Sequence, residues 1–444
     1  MTVPSSGDAT GREARRERSA ATEPMSPEAP SHDVALTDRV HSRRRPSLLT
    51  LLAFAAALLW GFFASLGTVR IPLGALWVPT VVSTAWAHIW SVLGVCVALG
   101  AILFWRKRRP ASRLGTVTVI LLAGSALAAL APLARQKLAA SDLPVRLTES
   151  FGSALPREAE GAPARRSMVA PAAWFGESAP EVQTETLEFA RRGEGPPLLL
   201  DLYQRSDTPI PRPLVVMVHG GSWQRGVRSE YPALNRYLAA RGYAVADIDY
   251  RLAPAHLFPA PIEDLHDALR FLVERAEEFG LDRHRIAIIG RSAGGHIALT
   301  GAYTAREKAQ VAVAGVVAFY APTDMVWSWE KSLDLTYIDG KKIVETYMGG
   351  PPESDPARFR DASPIHLATA TSPATLLIHG ARDRLVSPEQ STRLAAQLET
   401  LGVPHLHLEL PSATHGFDVA FGGPGAQIST YAIERFLASV LDEE

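Results

Sequence analysis

Five residues, Gly290-Arg291-Ser292-Ala293-Gly294, constrain this chain more than any other stretch, because they stand where an apolar strand-like run, Arg285 to Ile289, gives way to a helical pattern. Small residues two before and two after Ser292 let the backbone turn sharply. Such a turn holds a serine in a strained conformation with its hydroxyl lifted clear of a sheet. The pentapeptide alone also arises where small residues merely pack a helix against a strand. Its surroundings decide between the two.

Three more turns follow strand-like runs. Upstream, Leu214 to Val218 ends in His219-Gly220-Gly221-Ser222-Trp223, a glycine-rich turn whose backbone N–H groups are suited to face a developing oxyanion. Downstream, Ala374 to Ile378 ends in His379-Gly380-Ala381-Arg382-Asp383, which offers a carboxylate just past a strand. The run His405 to Leu410 is followed by Thr414-His415-Gly416-Phe417, which offers an imidazole. The chain order is therefore Ser, Asp, His.

From about Thr184 onward, short apolar runs alternate with amphipathic helical patterns. Strands are expected over Thr184–Ala190, Leu198–Tyr203, Leu214–Val218, Ala244–Asp249, Arg285–Ile289, Gly315–Tyr320, Thr375–Ile378 and Leu406–Leu410. Helices are expected over Arg228–Arg241, Ile262–Phe279, Ala293–Thr304, Pro388–Leu401 and Ala426–Leu441. Uncharged Val, Ile, Leu and Ala runs separated by helices imply a mostly parallel sheet covered on both faces. Ligands bind such sheets beyond the carboxyl ends of the strands, where all four motif turns fall. The residues between Tyr320 and Ala374 interrupt the alternation, and a cap insertion is expected near 322–372, with Trp327 and Trp329 as aromatic candidates for an acyl pocket and Tyr337 and Tyr347 nearby.

The N-terminal part reads differently. Ser47–Val69, Thr84–Trp105 and Leu114–Leu133 are free of Asp, Glu, Lys and Arg, and each is long enough to cross a hydrocarbon core of roughly 30 Å at about 1.5 Å per residue. Arg43, Arg44 and Arg45 precede the first run, only Arg70 lies between the first and second, and Arg106, Lys107, Arg108, Arg109 and Arg113 separate the second from the third. The positive-inside rule then puts the N-terminus in the cytoplasm and, with three spans, the C-terminal part outside. The expected divisions are a disordered cytoplasmic tail over 1–46, three transmembrane helices over 47–137, a linker or loosely packed arm over 138–183 and a catalytic domain over 184–444.

A net charge of −1 gives no sign of nucleic acid binding. The lone cysteine, Cys96, excludes an internal disulfide and any zinc site built on cysteines, and no His-Glu-x-x-His pair is present. No metal or organic cofactor is expected.

These residues resemble the α/β-hydrolase superfamily, and within it the esterase branch that includes hormone-sensitive-lipase-like carboxylesterases, kynurenine formamidases and isoprenylcysteine methylesterases. The matching segments are the His219–Trp223 turn, Asp249-Tyr250-Arg251-Leu252-Ala253-Pro254, and Gly290 to His296. The resemblance implies Ser292 as nucleophile, His415 as its base and Asp383 as the acid that orients the imidazole. It also implies an oxyanion hole from the turn Gly220, Gly221 and Ser222 together with Ala293. Serine at the third position, where lipase-like members carry glycine, followed by Trp223, moves the likeness toward formamidases and methylesterases. Trp223 is expected either to wall the pocket or to anchor its loop. Asp324 is the rival acid. Among competing histidines, His219 is expected to brace its turn and His296 to pack, while His379, His405 and His407 belong to strands and His88 to an apolar run.

The expected function is a membrane-anchored serine hydrolase acting on a small or lipidic carboxylic ester. An amidase or formamidase of the same fold is the alternative within that chemistry. A non-catalytic binding protein is the alternative outside it.

Overall fold

The computed structural model describes residues 47–66, 77–106, 113–165, 167–175, 180–193, 195–332, 334–335 and 338–442. The tail expected over 1–46 lies outside them, as do Arg70, Lys107, Arg108, Arg109 and Tyr337.

In chain order the strands are β1 (Gln183–Ala190), β2 (Leu198–Gln204), β3 (Arg212–Val218), β4 (Ala244–Ile248), β5 (Leu281–Arg291), β6 (Gly315–Phe319), the two-residue β7 (Asp334–Leu335) and β8 (Ile338–Asp339), β9 (Ala374–Gly380) and β10 (His405–Leu410). Eight of them form one sheet in the order β1-β2-β4-β3-β5-β6-β9-β10, and β7 pairs only with β8. The pairs β1/β2 and β2/β4 are antiparallel, and every pair from β4 through β3 to β10 is parallel. All residues of β3 and β6 are buried, as a sheet covered on both faces requires. One face packs Leu265 and Leu269 of helix Ala260–Glu274 and Ile297 of helix Ala293–Lys308 against Leu214 and Ile288. The other packs Ile433 and Phe436 of helix Pro424–Leu441 against Val215 and Ile289. Because β3, β5, β9 and β10 run the same way, the turns that follow them gather at one edge.

Two departures from the expected helices bear on the sheet domain. The helix expected from Arg228 begins at Pro232. Arg228 is instead pinned by Asp249 at 2.7 Å and Asp201 at 3.0 Å, and Ser229 takes a positive φ that a helix does not admit. The helix expected over Ile262–Phe279 is broken at Arg275 into Ala260–Glu274 and Ala276–Phe279.

In the N-terminal part, Leu48–Leu66, Ala87–Phe104 and the helix starting at Arg113 are long and apolar enough to cross a membrane. The second run expected from Thr84 is divided at Trp86, so that Trp77–Ala85 is a separate short helix. The third helix, Arg113–Ala139, outlasts its expected apolar run and carries Pro132 inside it.

The stretch 138–183, expected to be a linker or loose arm, is folded onto the sheet domain. Its helix Leu143–Phe151 buries Leu143 and Leu147, and Phe151 meets Phe436 edge to face at 4.9 Å. Arg146 donates to the His407 carbonyl at 2.6 Å, Arg157 pairs with Asp442 at 2.5 Å, and the Arg165 amide donates to Glu434 at 3.1 Å. Abundant Pro and Ala with scattered charges of both signs suggest a linker, and the contacts that fasten this arm do not show in that pattern because its arginines meet partners more than 260 residues away.

Candidate active site

The turn after β5 is built on close backbone approaches. A Cβ on Gly290 would fall 2.1 Å from the Gly294 carbonyl oxygen, and one on Gly294 would fall 2.2 Å from that of His219. Only glycine fits where helix, strand and the neighbouring turn converge. Ser292 caps the helix with φ 54° and ψ −120°, a strained conformation for a residue bearing a Cβ. Its amide donates to the Phe319 carbonyl at 2.9 Å, which ties the strained residue to β6.

His415 reaches Ser292 from the turn after β10, with Nε2 to Oγ at 3.0 Å, and Asp383 reaches His415 from the turn after β9, with Oδ2 to Nδ1 at 2.7 Å. A carboxylate only accepts, so the Nδ1–H of His415 donates to it and leaves Nε2 as the acceptor for the Ser292 hydroxyl. The second oxygen of Asp383 accepts from the amides of Leu385 at 2.8 Å and Val386 at 3.0 Å. Burial raises the Asp383 pKa, but the adjacent His415 and His379 outweigh it and hold the carboxyl well below the usual carboxylate range. The rival, Asp324, is engaged elsewhere: it caps helix Met325–Glu330 through the Trp327 amide at 2.9 Å and pairs with Arg393 at 2.8 Å.

The turn after β3 approaches the same serine. Gly220 backs onto the Arg291 carbonyl and the Ser292 Cβ, while Ser222 and Ala293 line a narrow cleft beside the hydroxyl. Gly221 has φ 113°, and a Cβ there would overlap the Arg225 carbonyl at 1.9 Å. Ala293 opens its helix, so its amide has no intrahelical acceptor. Among the described residues the Ser222 amide has no backbone acceptor either. The turn is held from behind. His219 Nδ1–H donates to the Gly220 carbonyl at 2.7 Å, its ring stacks on Tyr250 at 4.2 Å, and the Tyr250 hydroxyl donates to the carbonyls of His219 and Gly220.

The BD-FAE family model matches residues 200–398, which hold this serine and this aspartate. Esterase LipC of Mycobacterium tuberculosis is 35% identical over 268 residues, covering 56% of this chain and 64% of that protein. The probable carboxylic ester hydrolase LipM of the same organism is 30% identical over 254 residues, covering 54% of this chain and 58% of that protein. Among solved structures, a bacterial heroin esterase superposes with a TM-score of 0.52 at 26% identity, covering 59% of this chain and 85% of that one. The chain has the α/β-hydrolase fold, and its sequence is similar to esterases of that fold. It spans less than two thirds of the length of either curated relative named here.

Trp223 lies between its loop and the cleft. Its face stacks on Tyr347 at 4.5 Å and its indole N–H donates to His296 Nδ1 at 3.2 Å, yet it also lines the cleft. His296 packs as expected, its Nε2–H donating to the Ala362 carbonyl at 2.7 Å, and burial lowers its pKa to about 4 despite that bond. Of the two insertion tryptophans, Trp327 lines the cleft together with Val344. Trp329 does not. Its indole donates to Glu345 at 3.0 Å and Lys341 sits over its ring at 4.4 Å, because two residues along a helix turn a side chain to the opposite flank.

Three supports of the site carried no sequence signal. Arg291, the variable residue of the serine pentapeptide, forms a buried ion pair with Asp418 at 2.5 Å. Tyr320 donates to the same carboxylate and lays its ring against His415 at 4.5 Å. His379, beyond its place in β9, sits with Nε2 3.3 Å from Asp383 and Nδ1 accepting from the Ser391 hydroxyl at 2.7 Å. The N-terminal helices touch the same turns: Arg382 donates to the Leu66 carbonyl at 3.0 Å, and the hydroxyls of Thr84 and Thr414 are 3.4 Å apart. Among the described residues no group of His, Cys, Asp and Glu is arranged to hold a metal ion.

Proposed function

We propose that this protein hydrolyses carboxylic esters through an acyl-enzyme on Ser292. The observation that carries the reading is the line from Ser292 Oγ to His415 Nε2 at 3.0 Å and from His415 Nδ1 to Asp383 Oδ2 at 2.7 Å. A hydroxyl is a weak nucleophile at neutral pH and gains strength from a base in contact with it. Ser292 Oγ attacks the ester carbonyl carbon as His415 Nε2 takes its proton. The amides of Ser222 and Ala293 donate to the oxygen that becomes negative, with Gly220 and Gly221 giving the turn its shape. The C–O bond to the leaving group then breaks, and the proton on Nε2 passes to the departing alkoxide. Water, deprotonated in its turn by His415, releases the acid and restores Ser292. Asp383, ionised throughout, stabilises the imidazolium that forms at each step.

The three apolar helices serve as a membrane anchor in this reading, with the catalytic domain on the side opposite the N-terminus. Support comes from five basic residues between the second and third runs against one between the first and second. The substrate is a small or lipidic ester that fits a narrow cleft walled by Trp223 and Trp327.

A fluorophosphonate probe added to the full chain in membranes tests the chemistry. Covalent label on Ser292, lost in Ser292→Ala and His415→Ala, is the expected result; an unlabelled serine with the fold intact would mean a binding protein instead. A hydrolysis panel of acyl esters of rising length, an aryl formamide and a prenylcysteine methyl ester then separates ester from amide preference. An alkaline phosphatase fused after Glu444 is expected to be active, and an inactive phosphatase with a bright cytoplasmic reporter at the same position would reverse the orientation.

A further inference from the structure

The N-terminal helices line a partly open apolar cavity of about 260 Å³, separate from the cleft at Ser292. Its inner wall is Ala64 of the first helix, Ser83, and Ala129 and Pro132 of the third, all buried. The space exists because alanines stand where larger side chains would fill it, and because Pro132 interrupts the backbone bonding of the helix it lies in. Three aromatic rings shape its sides: Trp60 meets Trp90 edge to face at 5.6 Å, and Phe63 stacks on Trp90 at 6.4 Å.

Polarity says what such a cavity accepts. The Ser83 hydroxyl already donates to the Phe63 carbonyl at 2.7 Å, and the Trp90 indole N–H to the Val82 carbonyl at 3.2 Å. Neither calls for a polar ligand, and an apolar cavity of roughly 150 Å³ is known to stay dry and to bind a benzene-sized hydrocarbon. The cavity also has a rim. Ala56 and Leu59 line it and are exposed on the outer surface of a helix long and apolar enough to cross a membrane. What lies against that surface in a bilayer is lipid hydrocarbon.

We infer that this cavity is a binding site for one acyl chain of a bilayer lipid, which enters past Leu59 and ends against Ala129 and Pro132. The inference rests on the membrane anchoring proposed above. The site borders the catalytic turns through sequence neighbours: Ser83 lines it, and Thr84 meets Thr414, the residue before His415.

The test uses the full chain in phosphatidylcholine vesicles containing a phospholipid with a diazirine at the end of one acyl chain. After illumination, adducts are mapped by mass spectrometry. Peptides holding Ala64, Ser83 and Ala129 should be labelled several-fold more than the exposed Leu103, and Ala129→Leu and Ala64→Leu should each remove most of that excess while Leu103 labelling stays the same. Equal labelling of wall and outer surface, or an excess that survives both substitutions, would overturn the acyl-chain site but leave the anchor standing. Absence of label from all three helices would overturn site and anchor together. Should the variants fail to fold, the ratio of wall to Leu103 labelling in the wild-type chain still decides.

Discussion

Leu200, on β2, and Leu59, on the first apolar helix, are the same residue under opposite conditions. Leu200 is 0% exposed, packed within one face of the sheet, whereas Leu59 is 60% exposed, and Leu48, Leu99 and Leu103 on the apolar helices are as open or nearly so. In the sheet domain buried leucines meet one another; in the apolar helices many leucines face outward while Ala57, Ala64, Thr118, Ser125 and Ala129 lie inside, beside the buried Leu66 and Leu122. That inversion suits a region whose surroundings are hydrocarbon. Asp383 keeps its charge in a buried place only because Leu385, Val386, His379 and His415 all point donors at it.

The largest effect expected is at the centre of the domain. Ser292→Ala and His415→Ala should each lower turnover by about 10⁴ to 10⁶-fold, and Asp383→Asn by about 10⁴-fold, with combined variants far from additive. Purified full chain, free of contaminating esterase, provides the measurement, and wild-type turnover in Ser292→Ala would end the proposed mechanism.

The leucines test the comparison directly. Leu200→Ala should destabilise the domain by about 2 to 5 kcal/mol, through lost contacts and the cavity left behind. Leu103→Ala, on an outward face, should shift it by no more than about 0.5 kcal/mol. Similar losses in chemical denaturation of the two variants would break the contrast between the regions.

His296 sharpens it through pH. Its folded pKa, about 4, lies below the ordinary 6.5, so the neutral ring favours folding. That contribution is complete above pH 6.5 and is lost as pH falls from there through 4. At roughly 1.4 kcal/mol per pH unit the loss is about 3 kcal/mol. His296→Gln should be less stable than wild type at pH 7, having lost a bond, yet lose less stability between pH 7 and 4. Parallel stability curves would show that the ring is protonated without penalty.

The smallest effect belongs to the insertion. Trp327→Ala should change the preferred acyl length by a few-fold while sparing a minimal acetyl ester, and Trp329→Ala should leave chain-length preference unaltered. The reverse ranking would return Trp329 to the cleft.

What could be read from the sequence about the site was whatever depended on chain order and strand ends. Ser292 follows a short run rich in Ile and Ala, and His415 follows a run in which Leu alternates with polar residues, both strand patterns, so their placement at one sheet edge follows once the sheet is parallel. Trp329 was misplaced because an aromatic residue in an insertion has no periodic neighbour to fix its direction; only the helix Met325–Glu330, capped by Asp324, does so. Asp418 and Tyr320 were invisible for a related reason. Each resembles an ordinary turn or strand residue until Arg291, more than 25 residues from either, is brought against them.

By itself, then, the sequence determined the layered sheet, the order of the motif turns and the three apolar helices, since each rests on local composition and periodicity. Tertiary structure alone decided which aspartate meets His415, which tryptophan faces the cleft, that residues 138–183 fold back onto the domain, and that the N-terminal helices frame an apolar cavity. All four depend on contacts between residues remote along the chain. Such contacts form only when burial of apolar surface gathers the elements and leaves each buried charge a partner.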